Sequence, residues 1–393
     1  LQPRNLLSKT RGDKVIWAVV IVLSIFSVLA VYSSTMTLAF RFKQGNTEYY
    51  VLKHMGILIF GFILMYASHK IKYVYYSRIS MILLVLSLPL LFYTLFFGVV
   101  KNEAARWTTL PGINIMFQPS DLAKLALIMF VARSLALKQE QIKDFRKGFI
   151  PIVLPVLAVC GLILPANFST AAILFLTCIV LIFIGGVKIR YIAELLGIGA
   201  VVLTIFITIL MMSPHSSGRL GTWQSRIENF IGRGDSDDNF QKEQAQIAIA
   251  NGGIMGKMPG NSMQKNFVPN PFNDFIYAII IEEYGLFGGI VIILMYLILL
   301  YRGIRIAIQA PGNFGALLAI GVTLSLVFQA FVNMAVAVGL VPVTGQPLPL
   351  VSMGGTSIWF TSIAIGIILS VSKELETTGN LEVQPLTDND ETE

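Results

Sequence analysis

Residues 252–285 read GGIMGKMPGNSMQKNFVPNPFNDFIYAIIIEEYG. A polar loop punctuated by glycine ends in a carboxylate, Asp274, at the mouth of an apolar run from Phe275 to Ile281. The run has the hydrophobicity of a bilayer-crossing helix, which predicts that Asp274 lies near the water boundary, where a helix N-terminus favours negative charge. Two uses of such an acid are open: chemistry on a substrate, or capping of the helix by Asn273 or Asp274. Glu282 and Glu283 follow about 12 Å further along a helix rising about 1.5 Å per residue. That depth predicts structural carboxylates, hydrogen-bonded or paired inside a bundle.

The rest of the chain supports a membrane setting. Of 393 residues, 55% are apolar and 13% charged, against roughly 25% charged in soluble domains. The mean hydropathy is +0.73. Apolar runs of the length a bilayer needs, about 17 to 25 residues, fall near 15–36, 50–68, 79–100, 193–213, 275–301, 314–341 and 357–372. Residues 120–138 form a further span although they carry Lys124 and Arg133, and 148–186 reads as two helices parted by Pro165-Ala-Asn-Phe-Ser169. The prediction is an all-α polytopic membrane protein of about ten spans. It has a transmembrane domain over residues 1–372, a large extracytoplasmic loop at 214–274, and an acidic, disordered tail at 373–393.

Lys and Arg set the orientation, because they gather in short cytoplasmic loops. Arg4, Lys9, Arg11 and Lys14, then Lys70, Lys72 and Arg78, then Lys138, Lys143, Arg146 and Lys147, then Lys188 and Arg190, then Arg302 and Arg305 all fall on one side. Both termini are therefore expected in the cytoplasm. The net charge of +7 is dispersed among these loops rather than gathered on one face, which argues against nucleic acid. Cys160 and Cys178 sit inside apolar spans and offer neither a disulfide framework nor metal spacing. His54, His69 and His215 are isolated.

Polar residues inside or beside spans supply the remaining candidates. Ser120 is placed to cap the fourth span, with Asp121 in its first turn and Lys124 three residues on, so that acid and base can pair on one face. Such a pair either makes a polar span insertable or lines a substrate cavity. Gln329 and Asn333 share a face four residues apart, as interhelical glue or as substrate contacts. Between the last two spans, residues 339–357 are punctuated by Pro347, Pro349, Gly354 and Gly355 around Ser352. Extended backbone of that kind is tolerated at membrane depth only where protein buries it or a cavity is lined by it. Gly256 and Gly260 permit close backbone approach to a phosphate, with Lys265 as a point charge, but P-loop spacing is absent.

Four ordered stretches resemble motifs of the SEDS family (shape, elongation, division and sporulation). Asp274-Phe-Ile-Tyr-Ala with Glu282-Glu283-Tyr-Gly is similar to its D-F-I-(F/Y)-A…E-E-(L/Y)-G signature. Arg106-Trp with Phe117-Gln118-Pro-Ser-Asp121-Leu-Ala-Lys124 resembles R-W…F-Q-P-S-E-(L/F)-A-K, Asp121 standing where Glu is usual. Arg226 and Gln241 lie in a stretch like R-(I/L)…Y-Q…I-A-I…G-G. Residues 339–357 resemble G-L-(L/I)-P-x-T-G-x-x-L-P-(F/L)-(V/I)-S-x-G-G-(S/T)-S closely. Two departures stand out: Asn167 occupies a usually acidic position, and Asn270-Pro-Phe-Asn273 replaces E-A-H-T, so a neighbouring His is missing.

The resemblance, closer to the division-type branch, implies a peptidoglycan glycosyltransferase. It would polymerise lipid II onto a growing lipid-linked glycan at the outer face of the cytoplasmic membrane, at the septum. Asp274 would be the base. Arg106, Arg226 and Lys265 would meet the pyrophosphate, and Lys124, Gln329, Asn333 and Ser352 would line the substrate site. Gln118, Asp121, Glu282, Glu283, Pro347, Pro349, Gly354 and Gly355 would shape it. A divalent cation, Mg or Mn, has a place in such chemistry, with no organic cofactor. Its expected partners are a class B penicillin-binding transpeptidase and other divisome proteins. The alternatives are a flippase for the same lipid-linked precursor and an elongation-type polymerase.

Overall fold

The computed structural model describes residues 12–36, 38, 46–101, 104–109, 116–212, 221, 237–268 and 271–382. The helices in chain order are α1 (Lys14–Ser34), α2 (Thr47–Lys70), α3 (Tyr73–Phe97), α4 (Pro119–Leu137), α5 (Ile150–Ile163) and α6 (Phe168–Ile184). They continue with α7 (Ile189–Met212), α8 (Asp237–Gly252), α9 (Ile276–Gln309), α10 (Asn313–Ala337) and α11 (Thr356–Glu382). Among the described residues eight helices are long and apolar enough to cross a membrane. The 17-residue α6 and the 19-residue α4, with Asp121, Lys124 and Arg133 on it, bring the crossings to ten. The chain is an all-α polytopic membrane protein.

One end of the bundle is tied together by contacts between short basic loops. Asp13 caps α1 through Val15 N and Ile16 N and forms an ion pair with Arg302. Tyr73 Oη donates to Pro311 O at 2.7 Å, Tyr191 Oη to Lys143 O at 3.3 Å, and Ser370 Oγ to Ile71 O. Every described Lys and Arg assigned above to a single side lies near these contacts in sequence. Within the bundle α4 and α10 are the most enclosed helices; α10 packs against α4, α6, α9 and α11.

At the other end, α9 is two helices rather than one. Gly285 has φ 69° and ψ −173°, a conformation open only to glycine. The chain reverses there. Tyr277 Oη donates to Gly289 O at 3.3 Å, although twelve residues of straight helix would hold them about 18 Å apart. Residues 276–284 are thus a half-helix of about 13 Å, folded back along the crossing segment that starts after Gly285. Glu283 reaches Ser33, the penultimate residue of α1, whereas the Asp274 carbonyl meets Asn333, four residues before the end of α10. The expected order of depth is therefore reversed: Asp274 is held inside the bundle and the two glutamates stand at its rim. The uninterrupted apolar pattern through 275–301 hid the reversal, and the span proper begins after Gly285.

The glycine loop exists to serve that reversal. Lys257 N donates to Glu282 O, and Leu286 N donates to Gly253 O, both at 2.9 Å. The half-helix thereby satisfies one of its orphan C-terminal carbonyls, and the crossing helix one of its first free N–H groups. Gly256 and Gly285 sit so close that a Cβ on either would collide with the backbone of the other segment. At Gly256 the close approach read as suited to a phosphate is backbone against backbone, whereas Gly260 has open space where a Cβ would stand.

Three further expectations change. Residues 99–117 contain an antiparallel three-stranded sheet, β1 (Val99–Lys101), β2 (Ala104–Thr109) and β3 (Met116–Phe117), in the order β1-β2-β3. Gln118, not Ser120, occupies the N-cap position of α4, and its Nε2 donates to Ser120 Oγ at 2.8 Å. The last helix runs on to Glu382, so the first part of the expected disordered tail is helical; residues 383–393 lie outside the described residues.

Two glycines of similar φ separate collision from backbone strain. Gly186 (φ 87°) has open space where a Cβ would stand, while Gly285 (φ 69°) has Ile254 O in the way. Gly186→Ala should destabilise by about 1 kcal/mol. Gly285→Ala should do so severalfold more, read as melting temperature of the detergent-solubilised protein; equal losses would remove the helix reversal from the account.

Candidate active site

The turn that carries Asp274 is held by three consecutive carbonyls. Phe272 O accepts from Met353 N at 2.9 Å, Asn273 O from Ser352 Oγ at 2.6 Å, and Asp274 O from Asn333 Nδ2 at 2.9 Å. Asp274 itself is half-buried. The N-cap position of the half-helix is Phe275, with no side-chain cap bond, so Asp274 stands one residue outside the cap.

Ser352 and Met353 belong to the extended segment between α10 and α11, whose own carbonyls are taken up by side chains from three crossing helices. Asn333 Nδ2 donates to Gln346 O at 2.7 Å and Gln329 Nε2 to Pro347 O at 2.9 Å. Tyr296 Oη donates to Pro349 O at 2.6 Å, and Ser27 Oγ to Val351 O at 2.8 Å. Ser27 is in turn bonded to His54 Nε2 at 2.7 Å. Ser352 Oγ also accepts from Leu348 N at 2.7 Å, which closes the segment on itself. Pro347 and Pro349 withhold N–H groups that this enclosed stretch would otherwise have to satisfy. Gly355 turns the chain into α11 with φ 53°, while Ser357 N donates to Gly354 O.

Gln329 connects the cluster to α4. Its Oε1 accepts from Lys124 Nζ at 2.8 Å, and Lys124 lies 3.5 Å from Asp121 Oδ1. Lys124 and Asp121 side chains are 15% and 8% exposed, enclosed enough for the pair to hold without much screening. Both line a narrow cleft with Ser325, Ser357, Phe360 and Thr361. Gln329 and Asn333 lie one turn apart, about 6 Å along α10. The ammonium thus sits one helical turn from the amide that holds the Asp274 turn.

Other predicted site residues go elsewhere. Glu282, fully buried, takes Ser262 Oγ, Met263 N, Gln264 N and Lys257 Nζ. Glu283 takes Ser33 Oγ, with Lys265 close by. Lys265 is 5% exposed, and its Nζ donates to Gly260 O at 2.6 Å. Its ammonium lies at the glutamate nest at the rim, beside Ser33 and Glu283. Arg106 lies on β2, in the sheet that leans on α3 and α4. Arg226 lies outside the described residues. Asn167, noted above as standing at a usually acidic position, caps α6 by accepting from Thr170 N at 3.2 Å.

Sequence reading missed Tyr296, Ser27, His54 and Gln346. Each is a polar group inside an apolar stretch, and that isolation was the available signal. Gln346 Nε2 donates to Thr170 Oγ1 at 2.7 Å, joining α6 to the cluster.

Comparison with known proteins agrees with this architecture. The model of the cell cycle protein family typified by FtsW, RodA and SpoVE matches residues 13–377. A Geobacter metallireducens protein named "Probable peptidoglycan glycosyltransferase FtsW" is 37% identical over 382 residues, covering 95% of this chain and 98% of the relative. Stage V sporulation protein E of Bacillus subtilis is 33% identical over 369 residues, covering 93% and 98%. Among solved structures, a chain of a peptidoglycan synthase complex studied for coordination of polymerization and crosslinking superposes with TM-score 0.74 at 25% identity, covering 92% and 98%. The rod shape determining protein RodA of Thermus thermophilus has the same fold, at TM-score 0.65 and 21% identity, covering 93% and 98%.

The Asp121–Lys124 pair is the most enclosed charge near the cluster. Removing one partner leaves an uncompensated buried charge, a loss of about 3 to 5 kcal/mol. Lys124→Ala or Asp121→Ala should therefore lower folded yield and melting temperature, and exchanging the two residues should recover part of the loss. A Lys124→Ala protein with parental stability would show the pair to be hydrated.

Proposed function

This chain belongs to the FtsW, RodA and SpoVE family of cell cycle proteins, and from that premise we propose that it is a peptidoglycan glycosyltransferase that polymerises lipid II for septal wall synthesis. The observation that carries the reading is the pinning of the Asp274 turn through three successive carbonyls. A general base works only when held in place against its proton, and this carboxylate projects from a turn whose backbone is fixed on α10 and on the 346–353 segment.

In the proposed reaction Asp274 takes the proton from a sugar hydroxyl of one lipid-linked saccharide as that oxygen attacks the anomeric carbon of another. The new glycosidic bond forms as the bond to the pyrophosphate oxygen breaks. The electron pair leaves with the polyprenyl pyrophosphate, and the proton stays on the carboxyl until solvent removes it. Lys124, bonded to Gln329 one turn before Asn333 on α10, is the cation nearest this cluster for the developing phosphate charge. Arg106 is the second candidate, from the sheet beside α4.

Among the described residues there is no group of three or more His, Cys, Asp and Glu side chains suited to a metal. Asp274 with pyrophosphate oxygens fits a divalent cation such as Mg or Mn as a substrate-borne ion, held by one protein carboxylate. When bound it would supply further neutralisation of the leaving group.

The distribution of Lys and Arg supports a cytoplasmic position for the basic end of the bundle, and with it an Asp274 site reached from the outer side, where wall precursors are joined. Likeness to a component of a peptidoglycan synthase complex supports a partner, and we take it to be a class B penicillin-binding transpeptidase working with other divisome proteins at the septum.

Asp274→Asn tests the base directly, since it keeps volume and removes basicity. Polymerisation of lipid II by the purified protein with its partner should fall about 100- to 10,000-fold, with melting temperature and partner binding unchanged. Rates near those of the parent would take Asp274 out of the mechanism.

A further inference from the structure

Resting on the polymerase reading above, we propose that His54 and Ser27 are positioning residues for Asp274: they clamp a left-handed turn at Leu350 that sets Ser352 against the Asp274 turn. Leu350 has φ 63°, a conformation that a bulky side chain rarely adopts and keeps only where its surroundings over-determine it. The two carbonyls that flank it are each held by a side chain from a crossing helix. Tyr296 Oη of α9 donates to Pro349 O at 2.6 Å, and Ser27 Oγ of α1 donates to Val351 O at 2.8 Å. One residue further on, Ser352 Oγ donates to Asn273 O at 2.6 Å, and Met353 N donates to Phe272 O at 2.9 Å. A shift of Val351 is therefore passed to the residues next to Asp274.

Counting hydrogens assigns the part played by His54. Ser27 has a single hydroxyl hydrogen, and Val351 O can only accept it. His54 Nε2, 2.7 Å from Ser27 Oγ, must then carry a hydrogen of its own and donate it. The imidazole thereby fixes the rotor of the hydroxyl that holds Val351. Ser27 and His54 are fully buried, and among the described residues Nδ1 of His54 has no hydrogen-bond partner. The ring stands on α2, which is fastened to α11: Trp359 Nε1 donates to Ile57 O at 3.3 Å, and a Cβ on Gly61 would collide with Ser362 Oγ. The clamp thus ties the 346–353 segment to α1, α2 and α11, while Gln329 and Asn333 tie it to α10.

The test separates the donor from the bulk of the ring. His54→Gln keeps an N–H that can reach Ser27, His54→Leu removes it, and Ser27→Ala removes the link itself. In the purified full chain with its partner, His54→Leu and Ser27→Ala should lower kcat for lipid II polymerisation about tenfold, the scale of one or two buried hydrogen bonds, and leave KM unchanged. His54→Gln should stay near the parent. Amide hydrogen exchange, read by mass spectrometry, should quicken in 272–275 and 346–353 for the two disrupting variants alone. Solid-state NMR of the membrane-embedded parent, labelled with nitrogen-15 histidine, should show the His54 signal, identified by its loss in His54→Gln, with hydrogen on Nε2 and none on Nδ1. That measurement needs no variant that might fail to fold. Hydrogen on Nδ1, parental exchange in Ser27→Ala, or a His54→Gln protein as impaired as His54→Leu overturns the proposal. Exchange and tautomer need no turnover, so both results in a chain that makes no polymer would leave the clamp standing and remove the polymerase reading instead.

Discussion

A carbonyl inside a membrane bundle has no water to accept from, and residues 339–355 put a run of them there. Helices solve this problem within themselves, whereas an extended segment has to borrow donors from its neighbours. Here Asn333, Gln329, Tyr296 and Ser27 reach in from α10, α9 and α1 to take up the carbonyls of Gln346, Pro347, Pro349 and Val351. The donors are polar groups on otherwise apolar helices, each of which would be a liability without its partner. Segment and helices therefore require one another. The Asp274 turn is fastened to this already fixed scaffold through Ser352, Met353 and Asn333, so its geometry inherits the rigidity of the bundle rather than that of a loop.

The same need for partners explains the other irregular region. A half-helix that ends at Gly285 leaves carbonyls and N–H groups unmatched at the rim, and the Gly253–Lys257 turn supplies partners for both. Glu282 then collects the N–H groups of Met263 and Gln264, which anchors the returning stretch of the loop. Two carboxylates that look like candidates for chemistry by their burial are accounted for by backbone groups, hydroxyls and lysines around them. Perturbed, buried acids are common at active sites, but these two are held at the rim of the bundle, away from the Asn333 and Ser352 cluster that holds the Asp274 turn.

Most of the fold was legible in the sequence because hydropathy and the membrane's thickness determine spans almost without reference to tertiary contacts. The ten crossings and the break at Pro165 to Ser169 are both of that kind. What escaped is what hydropathy does not encode. Phe275 to Tyr301 is apolar on either side of Gly285, so the only sign of a reversal is one glycine after Glu-Glu-Tyr, and a lone glycine in a helical pattern is a weak signal. The sheet at 99–117 is too short to show a strand pattern. At the site, Asp274, Lys124, Gln329, Asn333 and Ser352 stood out by polarity or by family motif. Their mutual bonds could not be read, since the groups fixing the Asp274 turn and the 346–351 segment act on backbone carbonyls, which carry no side-chain signature. The surroundings of Lys265 were hidden for a related reason: its type suits an anion, and only the fold reveals that it meets Gly260 O and lies beside Glu283.

The position of α10 ties these features together. Its outer turns carry Gln329 and Asn333 toward the cluster, with the Asp121–Lys124 cleft on that side, and Val332 toward an apolar groove that it lines with α6 and α7. Polar and apolar surroundings therefore meet along this one helix. A helix of 25 residues, with two amides on one face near its outer end, is the simplest wall that provides both within one turn. Moving Asn333 or Val332 by one position would rotate each by about 100°, facing the amide to lipid and the valine to the carbonyls. The register of this one helix thus sets which residues face the carbonyl cluster and which the apolar groove, and the placement of the Asp274 turn beside Asn333 follows from the same register.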